Sequence, residues 1–410
     1  MQALVRQTGI AADTLRAWER RYGFPVPART GGGHRLYTAQ DVDAIRWVLQ
    51  KQQEGLRARQ AIELWQHQSG DPAAAPVAGS EPAHNHETLE GLRSAWVRAC
   101  LALDDQSAVQ VFNSAAAMLG PVTALLQVAT AGLSQVGERW AAGTASVAQE
   151  HYSTAVAMRH VQSLLNAEPP PARSETVIVT CPEGEIHAYP SVVLTYLLRR
   201  AGWPVLFLDA NLPARDLANT VTQEKPAFVL LCVQTVPALR ALLAGAEVLS
   251  RLGMRFGFGG SVFLRYPSLI ARVPGIYLGD RLTDTPDILQ RAVNGTVQPN
   301  IVAPVDTAWR DMALALPEAL IKVEADVVRQ SEMLGLAREA VAAELELLRG
   351  YLLSIVTLGA AELLPGLWDW SDRMQKARGF DPAARAALLD TYRKSLRFHL
   401  SQPGPLAPAL

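Results

Sequence analysis

The chain has 410 residues, 49% apolar and 19% charged, with a formal net charge of −1. That length is too great for one ordinary core and divides into roughly two to four domains; the composition excludes a disordered or fibrous chain. Cys100, Cys181 and Cys232 are too scattered and odd in number for a disulfide framework or a zinc site. Polar Gln2, Arg6 and Gln7 stand where a signal peptide would have its apolar run. No stretch reads as a membrane span, so the cytoplasm is the expected location.

The charge is uneven along the chain. Residues 1–67 carry ten Lys or Arg against six Asp or Glu, which points this end at an anionic partner. Within 12–22, Leu15, Trp18 and Tyr22 form one helical stripe, while Arg16 and Arg20 share another face. Asp13 suits the first turn of that helix. The Pro- and Gly-rich run that follows excludes helix. It sets His34, Arg35 and Tyr37 just past a glycine turn, as on a hairpin wing that touches phosphates. Arginines on such a helix read guanine edges or clamp phosphates; a solvated helix face is the alternative.

The string Thr14-Leu-Arg-Ala-Trp-Glu-Arg-Arg-Tyr-Gly-Phe-Pro, followed by Gly-Gly-His-Arg-Leu-Tyr, resembles the MerR family, and its CarH/LitR branch in particular. The resemblance spans residues 1–66. It implies a winged helix-turn-helix that binds double-stranded operator DNA through Thr14, Arg16, Arg20, His34, Arg35 and Tyr37. The chain departs from the family in starting almost inside its first helix.

Residues 68–87 read as a linker, with Pro72, Pro76 and Pro82. Residues 88–167 are Ala- and Leu-rich with helical periodicity and a break at Gly120-Pro121, which suits a small bundle. Trp140 and the pair Glu150-His151 stand out in it. A Trp beside a carboxylate and an imidazole can cap a flat apolar ligand; taken singly, each is an ordinary core or surface residue.

From 174 to 297 the rhythm changes. Short apolar runs at 177–180, 205–208, 228–233, 254–258 and 276–278 alternate with helical stretches. This predicts a doubly wound parallel sheet, which takes ligands at the carboxyl ends of its strands. Just past the first strand lies Cys181-Pro-Glu-Gly-Glu-Ile-His-Ala-Tyr-Pro190. Glu185 stands two positions before His187 and can accept one ring N–H, fixing the tautomer for ligation at the other nitrogen. Gly259 and Gly260 end the fourth strand, where a ligand could approach the backbone. A lone loop histidine would be a surface residue.

Together, residues 88–297 resemble the light-sensing half of CarH-type regulators, a bundle above a Rossmann-like, flavodoxin-like cobalamin-binding domain. The resemblance implies cobalamin, adenosylcobalamin foremost, with His187 as the lower ligand of cobalt and Glu185 as its partner. It implies Thr235, Gly259 and Gly260 beside the nucleotide tail, and Trp140, Glu150 and His151 beside the adenosyl group. It further implies a homo-oligomer, dimer or tetramer, that changes assembly on illumination. Three positions depart from the pattern: Pro190 replaces a usual Gly, Val233 a usual Ser, and Ala141 a His. A corrinoid-dependent enzyme module and a regulator switched by a protein partner stay open as rival readings; the absence of a substrate barrel weighs against the enzyme.

Residues 305–401 carry amphipathic helices with Trp368 and Trp370 and no identifiable motif. They read as a packing or oligomerisation module, with a second ligand pocket as the rival, and the tail after Gln402 reads as frayed. The whole is a multidomain α and α/β chain: winged helix-turn-helix, helical bundle, Rossmann-like domain and C-terminal helical domain.

Overall fold

The computed structural model describes residues 8, 10, 15, 18, 24–25, 28–29, 35–53, 62, 81–377, 379–400 and 404–409. The chain forms two compact units, Met1–Ala83 and His84–Leu410.

In the first unit, strands β1 (Ala28–Arg29) and β2 (Arg35–Leu36) pair antiparallel, with Arg29 opposite Arg35. Helix α1 (Ala39–Gln53) follows. Thr38 and Asp41 exchange bonds at its start: the Asp41 carboxylate accepts from the Thr38 amide at 2.7 Å, and Thr38 Oγ1 accepts from the Asp41 amide at 3.2 Å. That reciprocal cap satisfies helix-end donors that would otherwise lack partners. Of the stripe read from the sequence, Leu15 and Trp18 are buried and pack with Ile45, Val48 and Ile62 into a small core; Tyr22 lies outside the described residues.

The second unit opens with a bundle of α2 (Glu81–Leu101), α3 (Asp105–Leu119), α4 (Ala131–Ala141) and α5 (Val147–Asn166). A π-helical segment, Ala124–Thr130, leads into α4. The break expected at Gly120-Pro121 is present: Gly120 takes φ +85° and Pro121 restarts the helix. Ser146 and Gln149 form a capping box at the start of α5. Trp96 is wholly buried in this core.

The sheet comprises β3 (Val177–Thr180), β4 (Val205–Phe207), β5 (Phe228–Cys232), β6 (Phe256–Gly259) and β7 (Ile276–Tyr277). All pairs are parallel, in the order β4-β3-β5-β6-β7. Its crossovers include α6 (Tyr189–Arg200), α7 (Ala214–Glu224) and α8 (Leu239–Arg251); α9 (Ser261–Arg265) and α10 (Thr285–Val293) follow β6 and β7. The order reverses between β3 and β5, and such a switch point opens a crevice at the strands' carboxyl ends. Strand β6 starts two residues later than the apolar run suggested. Met254 instead closes α8: its amide bonds Leu249 O while Gly253 takes φ +65°, the geometry of a helix C-cap.

Side chains alternate across the sheet. Val177, Val179, Phe228 and Leu230 face one way. Ile178, Val229, Leu231 and Phe258 face the other, toward α8. That second core runs on into the last helices, α11 (Thr307–Met333), α12 (Arg338–Leu358), α13 (Leu364–Ala377) and α14 (Pro382–His399). The tail is not frayed throughout: Gly404–Ala409 forms a 3-10 turn, and Leu406 is fully buried in this core. The three cysteines are free and buried. Among the described residues no helix is long and apolar enough to cross a membrane.

Candidate functional site

The loop after β3 enters the crevice. Pro182 bridges to Leu212, and Asn211 Oδ1 accepts from the Gly184 amide at 2.8 Å. Gly184 takes φ +80°, a left-handed turn suited to glycine. The turn drives the Glu185 side chain inward, where it is completely buried. Its Oε1 accepts from the His187 amide at 3.0 Å and pairs with His187 Nδ1 at 2.6 Å. Its Oε2 accepts from the Gln234 amide at 2.7 Å, the Thr235 amide at 2.9 Å and Thr235 Oγ1 at 3.0 Å. One carboxylate thus joins the ends of β3 and β5.

Burial pushes the Glu185 carboxyl up, but the bonds from His187 and from the Gln234 and His187 amides outweigh it and hold it below its ordinary value. The bond to Glu185 raises the pKa of His187 against the opposing effect of burial, and the Glu185 and Glu150 charges add to the rise. The His187 side chain remains 57% exposed. With Nδ1 donating to the carboxylate, Nε2 carries the lone pair of the neutral ring. Ile186 beside it is 72% exposed. An outward imidazole nitrogen next to an apolar side chain suits a metal held in a flat organic ring, so these residues fit cobalamin.

The bundle meets the sheet through α6. Tyr189, Val192 and Tyr196 of that helix belong to the bundle's core, and the Tyr189 and Thr130 hydroxyls lie 3.0 Å apart. Glu150, in the first turn of α5, pairs with His151 Nδ1 at 2.6 Å and accepts from Thr154 Oγ1 at 3.0 Å. Trp140 sits half-buried in the last turn of α4; the described contacts do not join it to Glu150 or His151.

Packing demands glycine at only one of the two glycine positions. At Gly260, with φ +134°, a Cβ would lie 1.8 Å from the Val233 carbonyl oxygen. At Gly259 it would only touch Leu278 at 3.5 Å. Val233 itself is buried in the core behind the sheet, so the apolar residue at this departure is accounted for by packing. Pro190 sits in the first turn of α6, where its missing N–H costs nothing. Sequence reasoning missed Gln234. Its amide binds Glu185 and its Oε1 accepts from the Ser261 amide at 2.9 Å, contacts that follow from tertiary pairing and leave no local pattern.

Of the expected DNA contacts, Thr14, Arg16, Arg20 and His34 lie outside the described residues. Arg35 opens β2. Tyr37 is half-buried against the first unit's core.

Residues 1–68 match the MerR HTH family regulatory protein model, and residues 92–164 match the B12 binding domain model. The HTH-type transcriptional repressor CarH of Myxococcus xanthus is 34% identical over 224 residues, 54% of this chain and 74% of CarH. CarA of the same organism is 31% identical over 233 residues, 56% of this chain and 75% of CarA. The monomethylamine corrinoid protein of Methanosarcina barkeri is similar in structure, with 18% identity and a TM-score of 0.41 over 50% of this chain and 98% of that one. The chain is a MerR-type transcriptional regulator with a B12-binding domain, and it belongs to the family of CarH and CarA.

Proposed function

We propose that this regulator binds adenosylcobalamin with His187 as the lower ligand of cobalt, and that light acting on the bound cofactor changes its assembly and its hold on operator DNA. The observation that carries the reading is the buried Glu185 carboxylate gripping His187 Nδ1 at 2.6 Å, which leaves Nε2 to the metal. When bound, adenosylcobalamin supplies a cobalt–carbon bond that light can break. Trp140, Glu150 and His151 would lie on the adenosyl side, and Thr235, Gly259 and Gly260 near the nucleotide tail. Thr14, Arg16, Arg20, His34, Arg35 and Tyr37 would contact DNA. Ala141 has no side-chain atom able to ligate cobalt, so any such contact after illumination would have to come from another residue.

Several weak DNA-binding units on one assembly gain avidity that separated subunits lack. The cofactor shifts that equilibrium only by its different affinity for the two states. The test is an absorption spectrum and sedimentation of the purified protein with adenosylcobalamin, in the dark and after green light. The expected result is a bound-cobalamin spectrum, absent in His187→Ala, and a change of oligomer on illumination. Binding without a light response removes the photosensor part, with Ala141 the first place to look. No binding removes the cofactor assignment.

A further inference from the structure

The segment that holds Glu185 is itself held from behind. Gln234 and Thr235 donate to Glu185, and two residues later the Pro237 carbonyl accepts from Ser354 Oγ of α12 at 3.1 Å. The same Ser354 oxygen accepts from the Arg240 amide at 3.2 Å. That amide lies in the first turn of α8, where a helix cannot supply an acceptor of its own. Ser354 is completely buried, so removing its hydroxyl strands two polar groups at once. One turn earlier on α12, a Cβ on Gly350 would come within 2.9 Å of Pro237 Cβ, so the helix backbone presses on this segment. The last helices also reach the bundle: α13 packs on α4, the helix of Trp140.

We infer that Ser354 is a positioning residue for His187, acting through Pro237, Thr235 and Glu185, and that the C-terminal helices thereby form part of the cofactor site. A shift of α12 moves Pro237. The short run from Pro237 to Gln234 carries the shift to the two amides on Glu185, and the carboxylate passes it to the imidazole. The link to cobalt rests on the cobalamin reading above. The link from Ser354 to Glu185 concerns the protein alone.

The full-length chain is compared with Ser354→Ala, Ser354→Thr, Gly350→Ala and Ser395→Ala. Ser395 bonds Asp326 within the same helical block, away from Pro237. Two quantities are read: hydrogen exchange at the Gln234 and Thr235 amides without cofactor, and the release rate of adenosylcobalamin in the dark. Ser354→Ala is expected to speed cofactor release by about tenfold, the low end of what losing an outer partner costs a metal site, and to speed exchange at both amides. Ser354→Thr should restore both. Gly350→Ala, which displaces α12 but keeps the hydroxyl, should act like Ser354→Ala and decides the matter if that variant does not fold. Ser395→Ala should leave both readouts unchanged. Unaltered exchange at Gln234 and Thr235 in the Ser354 and Gly350 variants overturns the inference, as does an equal effect from Ser395→Ala. A wild-type chain that binds no cobalamin removes the proposed function instead, and the exchange measurement still decides the link.

Discussion

Glu185 accepts five hydrogen bonds while wholly buried. A neutral amide there would turn an NH2 group toward at least one of those donors. Glu185→Gln is therefore expected to weaken cobalamin binding by about 10- to 100-fold, read by spectral titration in the dark; an affinity within about twofold of wild type would show that the carboxylate does not orient His187. The two-residue spacing to His187 was legible in the sequence because it is local. The bonds from Gln234 and Thr235 were not, since they come from 49 and 50 residues away; Thr235 stood out only through the family resemblance, and for a different role. A second histidine makes a pH prediction. His160 is buried, stacks on Phe112 with ring centroids 3.9 Å apart, and its Nε2 has no partner among the described residues. Burial lowers its pKa from 6.5 to about 4, with the nearby Arg159 charge adding to the fall. The unfolded chain therefore binds this proton first. The stability is complete above pH 6.5 and drains away as pH falls toward 4, by about 3 kcal/mol in all. His160→Leu should flatten that part of the curve, measured as urea unfolding of the cofactor-free protein between pH 7.5 and 4.5. An unchanged slope would mean that the ring finds a partner when it charges.

At the scale of elements, the strands were legible because a parallel sheet covered on both faces reads as short continuous apolar runs. β3 lies where its run predicted. β4, β5 and β7 each end one residue short of their runs, and β6 starts two residues late because Met254 serves the helix before it. The capping box that starts α5 sets the first turn in which Glu150 and His151 stand. Ser146→Ala should cost about 1 kcal/mol of stability and loosen that turn, seen as a lower urea midpoint and faster amide exchange at Gln149. A midpoint unchanged within error would mean that tertiary packing alone fixes the helix end. The 3-10 turn at Gly404–Ala409 escaped the sequence reading for a plain reason. A Pro- and Gly-rich tail lacks periodicity, and one leucine, Leu406, is enough to anchor it on a core it cannot announce.

At the scale of the molecule, amphipathic stretches reveal that a helix buries a face but not what it buries it against. The last four helices therefore read as a block with no stated partner. In the structure their core is continuous with the Ile178, Val229 and Phe258 face of the sheet. A chain ending at residue 304 would expose that face, and large exposed apolar patches drive association. It should aggregate or sediment as a polydisperse species, where the full chain gives defined ones; a well-behaved, cobalamin-binding truncation would show that the shared core is dispensable. The three buried thiols have a practical consequence. Burial pushes Cys100 up to about 12 and Cys181 to about 11, and raises Cys232 well above its ordinary value, so little reactive thiolate exists near neutral pH. The folded protein therefore carries its own silent clocks. Cys100 keeps time for the bundle, and Cys181 and Cys232 for the crevice. Under the light response proposed above, a pulse of thiol reagent after a flash would report whether and when each group of cysteines becomes accessible, with no residue added to the chain to carry the label.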